Sequence, residues 1–282
     1  METERIKNII REKIGDDVLE ITVNSRGSDQ TVYIVTAKNS NYVIKFPKND
    51  TLLFRQGFAY DNLHNIIPMP KILATGEDYL VESFIEGDDL DSIQSTPSES
   101  ENIYFELGSI LKKIHSKKME GFGIVLPEGR GKYKNMREFV NSWFTKKIND
   151  LENTGLLLNN QIGEVRRLLN SNYLDSDTSV LLHNDFNDPN IRVKNGKVTG
   201  IIDFGDLYAG PPSYDLVGLL LSHYSDGKFE HFLDGYGRDI DSDEIDFFSK
   251  LNLTWIIPYH HNLDNNEKTN KYLEAMKYFF EF

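Results

Sequence analysis

The 282-residue chain contains no cysteine. This excludes disulfides, thiolate metal sites and a cysteine nucleophile. Long apolar runs are also missing. Residues 216–221 are apolar, but the stretch is interrupted by Gly218 and falls far short of the roughly 20 residues a membrane span requires. The opening METERIKNIIREKIGDD is charged and amphipathic and lacks the apolar centre of a secretory signal. The expectation is a cytoplasmic protein with no membrane partner. Basic residues are in deficit, 31 Lys and Arg against 44 Asp and Glu, for a net charge of −13. Nucleic acid would be repelled by that balance, whereas a cationic small molecule would be attracted. A negative surface also serves solubility alone. No repeat or low-complexity tract recurs, and nothing points to an obligate protein partner. The length suits one large or two medium domains.

What the sequence does contain is concentrated in residues 181–206, LLHNDFNDPNIRVKNGKVTGIIDFGD. Two short apolar runs, residues 179–182 and 198–202, read as buried strands. The first ends in His183-Asn184-Asp185, with Asn190 five residues past Asp185; the second ends in Asp203-Phe204-Gly205-Asp206. Between them Lys194-Asn195-Gly196-Lys197 reads as a hairpin turn, with Asn-Gly supplying the positive φ angles. The expectation is that two carboxylates and a carboxamide come side by side on adjoining strands. Asp185 can accept a proton from a hydroxyl nucleophile, and Asn190 and Asp203 offer hard oxygen ligands for Mg²⁺. Either segment alone also fits a surface turn rich in Asp and Asn. The order of the two, with a hairpin between, favours chemistry.

His-x-Asp-x-x-x-x-Asn followed by Ile-Asp-Phe-Gly-Asp resembles the aminoglycoside phosphotransferases and related small-molecule kinases. The resemblance implies an α+β, two-lobed, protein-kinase-like fold. Residues 1–86 would form a small antiparallel-sheet lobe that binds the nucleotide, and residues 87–282 a mainly helical lobe for catalysis and substrate. It implies Mg²⁺ and ATP or GTP as co-substrate. It assigns Asp185 as the group that orients and deprotonates the hydroxyl, and Asn190 and Asp203 as the metal ligands.

Along the first lobe, residues 4–14 read as an amphipathic helix with Ile6, Ile9, Ile10 and Ile14 on one side. Residues 20–23, 31–37 and 41–46 are β-branched, alternating runs that predict an antiparallel sheet. The turn Ser25-Arg26-Gly27-Ser28-Asp29-Gln30 joins the first two strands. In a kinase-like fold it would lie over the phosphates, with Ser25, Gly27 and Ser28 as donors; as a bare motif it is equally a hairpin loop. Alternation puts Lys45 on the face opposite Ile44 and Phe46. The resemblance makes it the lysine that holds the α- and β-phosphates, where alternation alone would accept a solvent-face lysine. The helix over residues 50–63 should supply that lysine with a carboxylate. At the matching position stands Gln56, which can hydrogen-bond the lysine but cannot neutralise it; Asp61 is the alternative on the same helix. Residues 68–76 and 79–85 read as two more strands. Residues 82–87, Glu82-Ser83-Phe84-Ile85-Glu86-Gly87, resemble the hinge whose backbone meets the purine edge, which implicates Glu82, Ser83 and Ile85.

Beyond the hinge, residues 91–100 read as a polar loop containing Pro97. Residues 99–117 carry a helical stripe closed by His115, a dipole partner or core group. Residues 121–132 are glycine-rich and are expected to be mobile. Residues 136–151 and 160–172 are two further amphipathic helices. The stretch Gly210-Pro211-Pro212-Ser213-Tyr214-Asp215-Leu216 resembles the family's Gly-Asp-Pro-x-x-Asp-Leu, with Pro211 in place of its first Asp. Asp215 is expected to cap the next helix or brace the catalytic loop, and His183 to be a brace and not a base. Residues 230–282 are helical and rich in aromatics, most of them core. Aminoglycoside kinases seat their substrate against C-terminal acidic residues, which implicates Glu281 and Phe282, with Trp255, Asp264 and Glu267 beside them.

The expected reaction is transfer of the γ-phosphate of a nucleoside triphosphate to a hydroxyl of a small cationic molecule, an aminoglycoside first, as in antibiotic resistance. The alternatives are a kinase of another small alcohol, such as choline, a macrolide, a thio-sugar or homoserine, and a non-catalytic nucleotide-binding module. A protein kinase is disfavoured, because no Ala-Pro-Glu follows Asp203.

Overall fold

The structure, a computed structural model, describes residues 2–24 and 30–282. The chain opens with α1 (Glu2–Ile9), which runs on through a wider helical turn to Ile14, followed by β1 (Val18–Asn24), β2 (Gln30–Ala37) and β3 (Asn41–Pro47). Next come α2 (Asp50–Leu63), β4 (Ile72–Thr75), β5 (Leu80–Ser83) and the two-residue β6 (Asp88–Asp89). α3 (Pro97–Ile114), β7 (Phe122–Val125), β8 (Gly131–Tyr133), α4 (Met136–Asn153) and α5 (Asn159–Arg167) lead to β9 (Val180–Leu182). A hairpin of β10 (Ile191–Lys194) and β11 (Lys197–Ile201) precedes β12 (Tyr208–Gly210). The chain closes with α6 (Pro212–His223), α7 (Lys228–Tyr236), α8 (Ser242–Asn262) and α9 (Asn266–Phe280).

These elements pack into two compact units. One is Met1–Gln94 together with Asp188–Asp206; the other is Ser95–Asn187 together with Leu207–Phe282. The first is built on a five-stranded antiparallel sheet in the order β1-β2-β3-β5-β4. Its alternation does what period two requires. Ile44, Val35 and Val81 point to one face and are buried against Ile6, Ile9 and Ile10; each such side chain withdrawn from water contributes about 1.5–3 kcal/mol. Lys45 points to the other face, where α2 brings Gln56. α2 starts at Asn49, whose side chain accepts from the N–H of Leu52, the usual function of an asparagine cap. Its buried stripe, Leu52, Arg55, Gln56, Ala59 and Leu63, contains two polar residues, which a purely structural helix would not spend there.

The same unit contains a small sheet in the order β11-β10-β6. Asn195 (φ 52°) and Gly196 (φ 70°) make its turn, the geometry that matches the twist of paired strands. The second unit holds a sheet in the order β8-β7-β12-β9 and a helical core around Phe144, Ile148, Phe248 and Leu251.

Three readings are corrected. The apolar runs before Asp185 and Asp203 are not adjoining strands: β9 pairs with β12, whereas β11 pairs with β10. Of the three polar residues, Asn190 and Asp203 alone flank strands paired with each other. Residues 121–132, read as a glycine-rich stretch without strands, contain most of the β7–β8 hairpin, whose glycines are compatible with close backbone approach. Pro97 is the first residue of α3, not part of the loop, and Thr96 and Glu99 close a reciprocal cap around it. No helix among the described residues is long and apolar enough to cross a membrane.

Candidate active site

Three strands and one helix build the polar face of the first unit. In the sheet, Lys45 on β3 lies opposite Val32 on β2 and Leu80 on β5. Residues two along from these partners share its face and are diagonal neighbours within reach of long side chains. On β2 that residue is Gln30; on β5 it is Glu82. The ammonium of Lys45, on a residue only 5% exposed, lies 3.0 Å from Oε2 of Glu82 and donates to Oε1 of Gln56 at 3.0 Å. Oδ1 of Asp203 is 4.0 Å away. Burial disfavours the ammonium, but the carboxylates of Glu82 and Asp203 outweigh it and hold the Lys45 pKa above its ordinary value. The carboxylate sought on α2 is therefore on β5, and Gln56 is the hydrogen-bonding partner. Asp61, the alternative on α2, is exposed.

Asp203 follows β11 and has φ 66°, a conformation that costs a non-glycine residue about 1–3 kcal/mol. The next turn, Phe204–Asp206, is clamped to α2. The Arg55 guanidinium donates to the carbonyl of Gly205, and a Cβ on Gly205 would stand 3.2 Å from Leu52, so this position suits glycine. The carbonyl of Asn190 accepts from the N–H of Ile202 at 2.9 Å, which ties Asn190 to the residue before Asp203. The donor set here is all oxygen. No cluster of three or more His, Asp or Glu side chains poised to cage a metal exists among the described residues. A carboxylate and a carboxamide oxygen are a donor set compatible with Mg²⁺, which takes one or two protein oxygens and fills its shell with water and phosphate.

The strand that carries Glu82 ends at Ser83, whose N–H donates to the carbonyl of Lys71 and whose hydroxyl accepts from the N–H of Lys71, each at 2.9 Å. Ile85 makes no backbone hydrogen bond to another described residue. Its side chain seats against Gly200, where a Cβ would come within 2.9 Å. Ser25, Gly27 and Ser28 lie outside the described residues.

The loop that carries Asp185 belongs to the second unit. Asp215, in the first turn of α6, accepts from the N–H of His183 and from that of Asn184, each at 2.7 Å. Asn184 has φ 65°. Two hydrogen bonds to a charged acceptor, each worth about 1.5–3 kcal/mol, outweigh the strain of that conformation. The fully buried ring of His183 accepts from the N–H of Asp185 at 3.2 Å. Asp215 is itself held by Nε2 of His115 at 3.1 Å, and Nδ1 of His115 meets the Tyr236 hydroxyl at 2.8 Å. Burial, reinforced by Asp215, raises the Tyr236 phenol well above its ordinary pKa. The phenol therefore keeps its proton, and its hydroxyl and the Asp215 carboxylate hold the two ring nitrogens of His115. Asn187 donates to Oδ1 of Asp185 at 2.5 Å, and its own Oδ1 is buried with no hydrogen-bond partner among the described residues. The bracing expected of Asp215 and His183 is present; Asn187, His115 and Tyr236 complete it.

The C-terminal candidates are dispersed. Trp255 is half-buried on α8 and donates to the carboxamide of Asn252 at 2.9 Å. Asp264 lies just past α8 with φ 54°. Glu267 is in the first turn of α9, and Glu281 is its C-terminal cap. At 1.5 Å per residue, the last two stand roughly 20 Å apart. Phe282 stacks on Phe280 with ring centroids 4.9 Å apart and borders a cavity of about 250 Å³ lined also by Leu156, Leu157 and Met276. Gln30 was not singled out by the sequence. Its signal was parity: it lies at an even spacing from Val32, the residue opposite Lys45.

Comparison with known proteins gives a consistent picture. No curated protein matches by sequence. Among solved structures, the fold is similar to the aminoglycoside phosphotransferase APH(4)-Ia, with TM-score 0.76, 16% identity, and coverage of 99% of this chain and 98% of that one. It is also similar to APH(2")-IIa in complex with gentamicin (TM-score 0.70, 21% identity, 96% and 95% covered). A third relative is macrolide 2'-phosphotransferase type I (TM-score 0.67, 14% identity, 98% and 96% covered). A thermostable mutant of APH(4)-Ia has been solved with AMP-PNP and hygromycin B, and APH(2")-IIa with streptomycin and ATP. At these identities the likeness establishes the protein-kinase-like α+β fold. The family model of the phosphotransferase enzyme family matches residues 20–248, most of the chain, and the chain belongs to that family.

Proposed function

We propose that this phosphotransferase moves the γ-phosphoryl group of ATP or GTP to a hydroxyl of a small cationic molecule, with an aminoglycoside as first choice. The observation that carries the reading is the meeting of Lys45 and Asp203. A buried ammonium suited to phosphate oxygens lies 4.0 Å from a carboxylate suited to Mg²⁺. Lys45 binds the phosphates that are not transferred, with Ser25, Gly27 and Ser28 of the preceding turn as further donors. Ser83 and Ile85 offer backbone groups to the purine edge. Asn190 and Asp203 are the residues that would hold Mg²⁺, which when bound neutralises charge on the phosphate oxygens. Asp185 orients the acceptor hydroxyl and takes its proton. Little covalent work is asked of the protein, so positioning and charge stabilisation dominate.

Support for a cationic substrate comes from the −13 net charge and from the acidic C-terminal residues Asp264, Glu267 and Glu281, with Trp255 and Phe282 as apolar neighbours. An ammonium gives up its water shell most readily to carboxylates, through charge-assisted hydrogen bonds. A second reading, phosphorylation of another small alcohol, is favoured by the wide separation of Glu267 and Glu281, which does not make one compact anionic site. A coupled nucleotide-consumption assay over amino sugars, macrolides and choline separates the two. For an amino sugar, the Michaelis constant should rise with added salt. If amino sugars are not phosphorylated and a neutral alcohol is, the aminoglycoside reading fails.

A further inference from the structure

The polar face of the first unit contains a chain of hydrogen bonds that phosphate binding does not require. Lys45 donates to Oε1 of Gln56 at 3.0 Å. Nε2 of Gln56 donates to Oε1 of Gln30 at 3.2 Å. Nε2 of Gln30 donates to Oδ1 of Asp203 at 2.9 Å. An ammonium can only donate and an ionised carboxylate can only accept. With those two ends fixed, each carboxamide has one satisfactory orientation, oxygen towards the lysine and nitrogen towards the aspartate. The two amide dipoles are thus aligned between a cation and an anion.

The position of Glu82 explains why residue 56 is an amide. Glu82 already faces Lys45 at 3.0 Å. A glutamate at 56 would add a third carboxylate around a single ammonium on a largely dry face, an unfavourable excess of like charge. It would also have no N–H for Gln30. The Gln30 amide would have to turn over to serve it, and its oxygen would then face the carboxylate of Asp203.

We propose that Gln30 and Gln56 are positioning residues for the metal-holding carboxylate, and that transfer of the lysine's carboxylate partner from α2 to Glu82 on β5 is what frees Gln56 for this role. Gln30 holds one oxygen of Asp203 and so fixes the direction in which the carboxylate presents itself to Mg²⁺. This inference rests on the phosphotransfer reading above, and its test separates the two. Nucleotide binding is measured by calorimetry, once in chelator and once in Mg²⁺, for the wild type and two variants. Gln30→Ala removes the last link. The double variant Gln56→Glu with Glu82→Gln keeps the number of carboxylates and the side-chain volumes but cannot donate to Gln30.

In both variants, the gain in affinity that Mg²⁺ confers should fall at least fivefold more than the metal-free affinity. The Mg²⁺ concentration for half-maximal gain should rise by a similar factor. If both affinities fall by the same factor, or neither changes, the two glutamines are merely structural and the proposal is overturned. A wild-type protein that binds no nucleotide under either condition would overturn the phosphotransfer reading itself, and this proposal with it.

Discussion

Asp185 and Asp203 are both acids in short turns after buried strands, yet the protein holds them differently. The loop of Asp185 is anchored through its backbone, while its carboxylate takes a local hydrogen bond from Asn187, two residues on. Asp215 takes the N–H groups of His183 and Asn184, and the His183 ring takes that of Asp185. The Asp203 carboxylate is held by side chains from distant parts of the chain, Gln30 and the nearby ammonium of Lys45. Backbone anchoring sets where a residue is; side-chain anchoring sets which way its carboxylate points. The first suits a group that must meet a variable hydroxyl. The second suits a metal ligand, whose geometry is demanding.

Four substitutions test that contrast, in falling order of effect. Asp203→Ala should abolish the effect of Mg²⁺ on nucleotide binding and turnover, measured by titrating the metal; retained activity at ordinary Mg²⁺ would mean the wrong acid has been assigned. Asp215→Ala leaves two backbone N–H groups and His115 without their buried acceptor. It should cost about 3–5 kcal/mol of stability by denaturant unfolding, whereas a change below 1 kcal/mol would show that the loop does not depend on its backbone anchor. Tyr236→Phe removes a single hydrogen bond to His115 and should cost about 1 kcal/mol by the same unfolding measurement.

The smallest effect is expected from Glu244→Gln. Burial raises the pKa of Glu244, the hydroxyl of Ser213 at 2.6 Å partly offsets this, and Asp241 adds to the rise. Relative to the unfolded chain, the fold therefore favours the protonated form. The stability that this preference contributes is complete below the unfolded value of about 4.3 and is lost as pH rises through the folded pKa. The wild type should lose thermal stability across that range by more than the glutamine variant does; parallel pH profiles would contradict it.

The sequence revealed most where chemistry and local geometry coincide. The Asn-Gly turn, the lysine inside an apolar alternation and the acidic ends of residues 181–206 were legible because each departs from what its neighbours require. That β9 and β11 belong to different sheets was not legible. β9 and β11 are both short apolar runs near each other in the chain, and only long-range pairing assigns them to different sheets. Glu82 was read for its backbone, since a strand end beside a bend looks like a hinge; its side chain matters because parity puts it on the face of Lys45. Gln30 carries no motif at all. The C-terminal acids were grouped by the resemblance to aminoglycoside kinases, but the length of α9 sets Glu267 and Glu281 at opposite ends.

Asp185 is proposed to take the proton in a phosphoryl transfer to a hydroxyl. The most direct test is mass spectrometry of the products after incubation with Mg²⁺, ATP and an amino sugar, for the wild type and for Asp185→Asn. The wild type should convert the sugar to a species one phosphoryl group heavier, one per nucleoside diphosphate released. The variant should bind nucleotide but form that product about 10²-fold more slowly or worse. Equal rates in the two proteins, or nucleotide consumed with no phosphorylated sugar, would contradict the account.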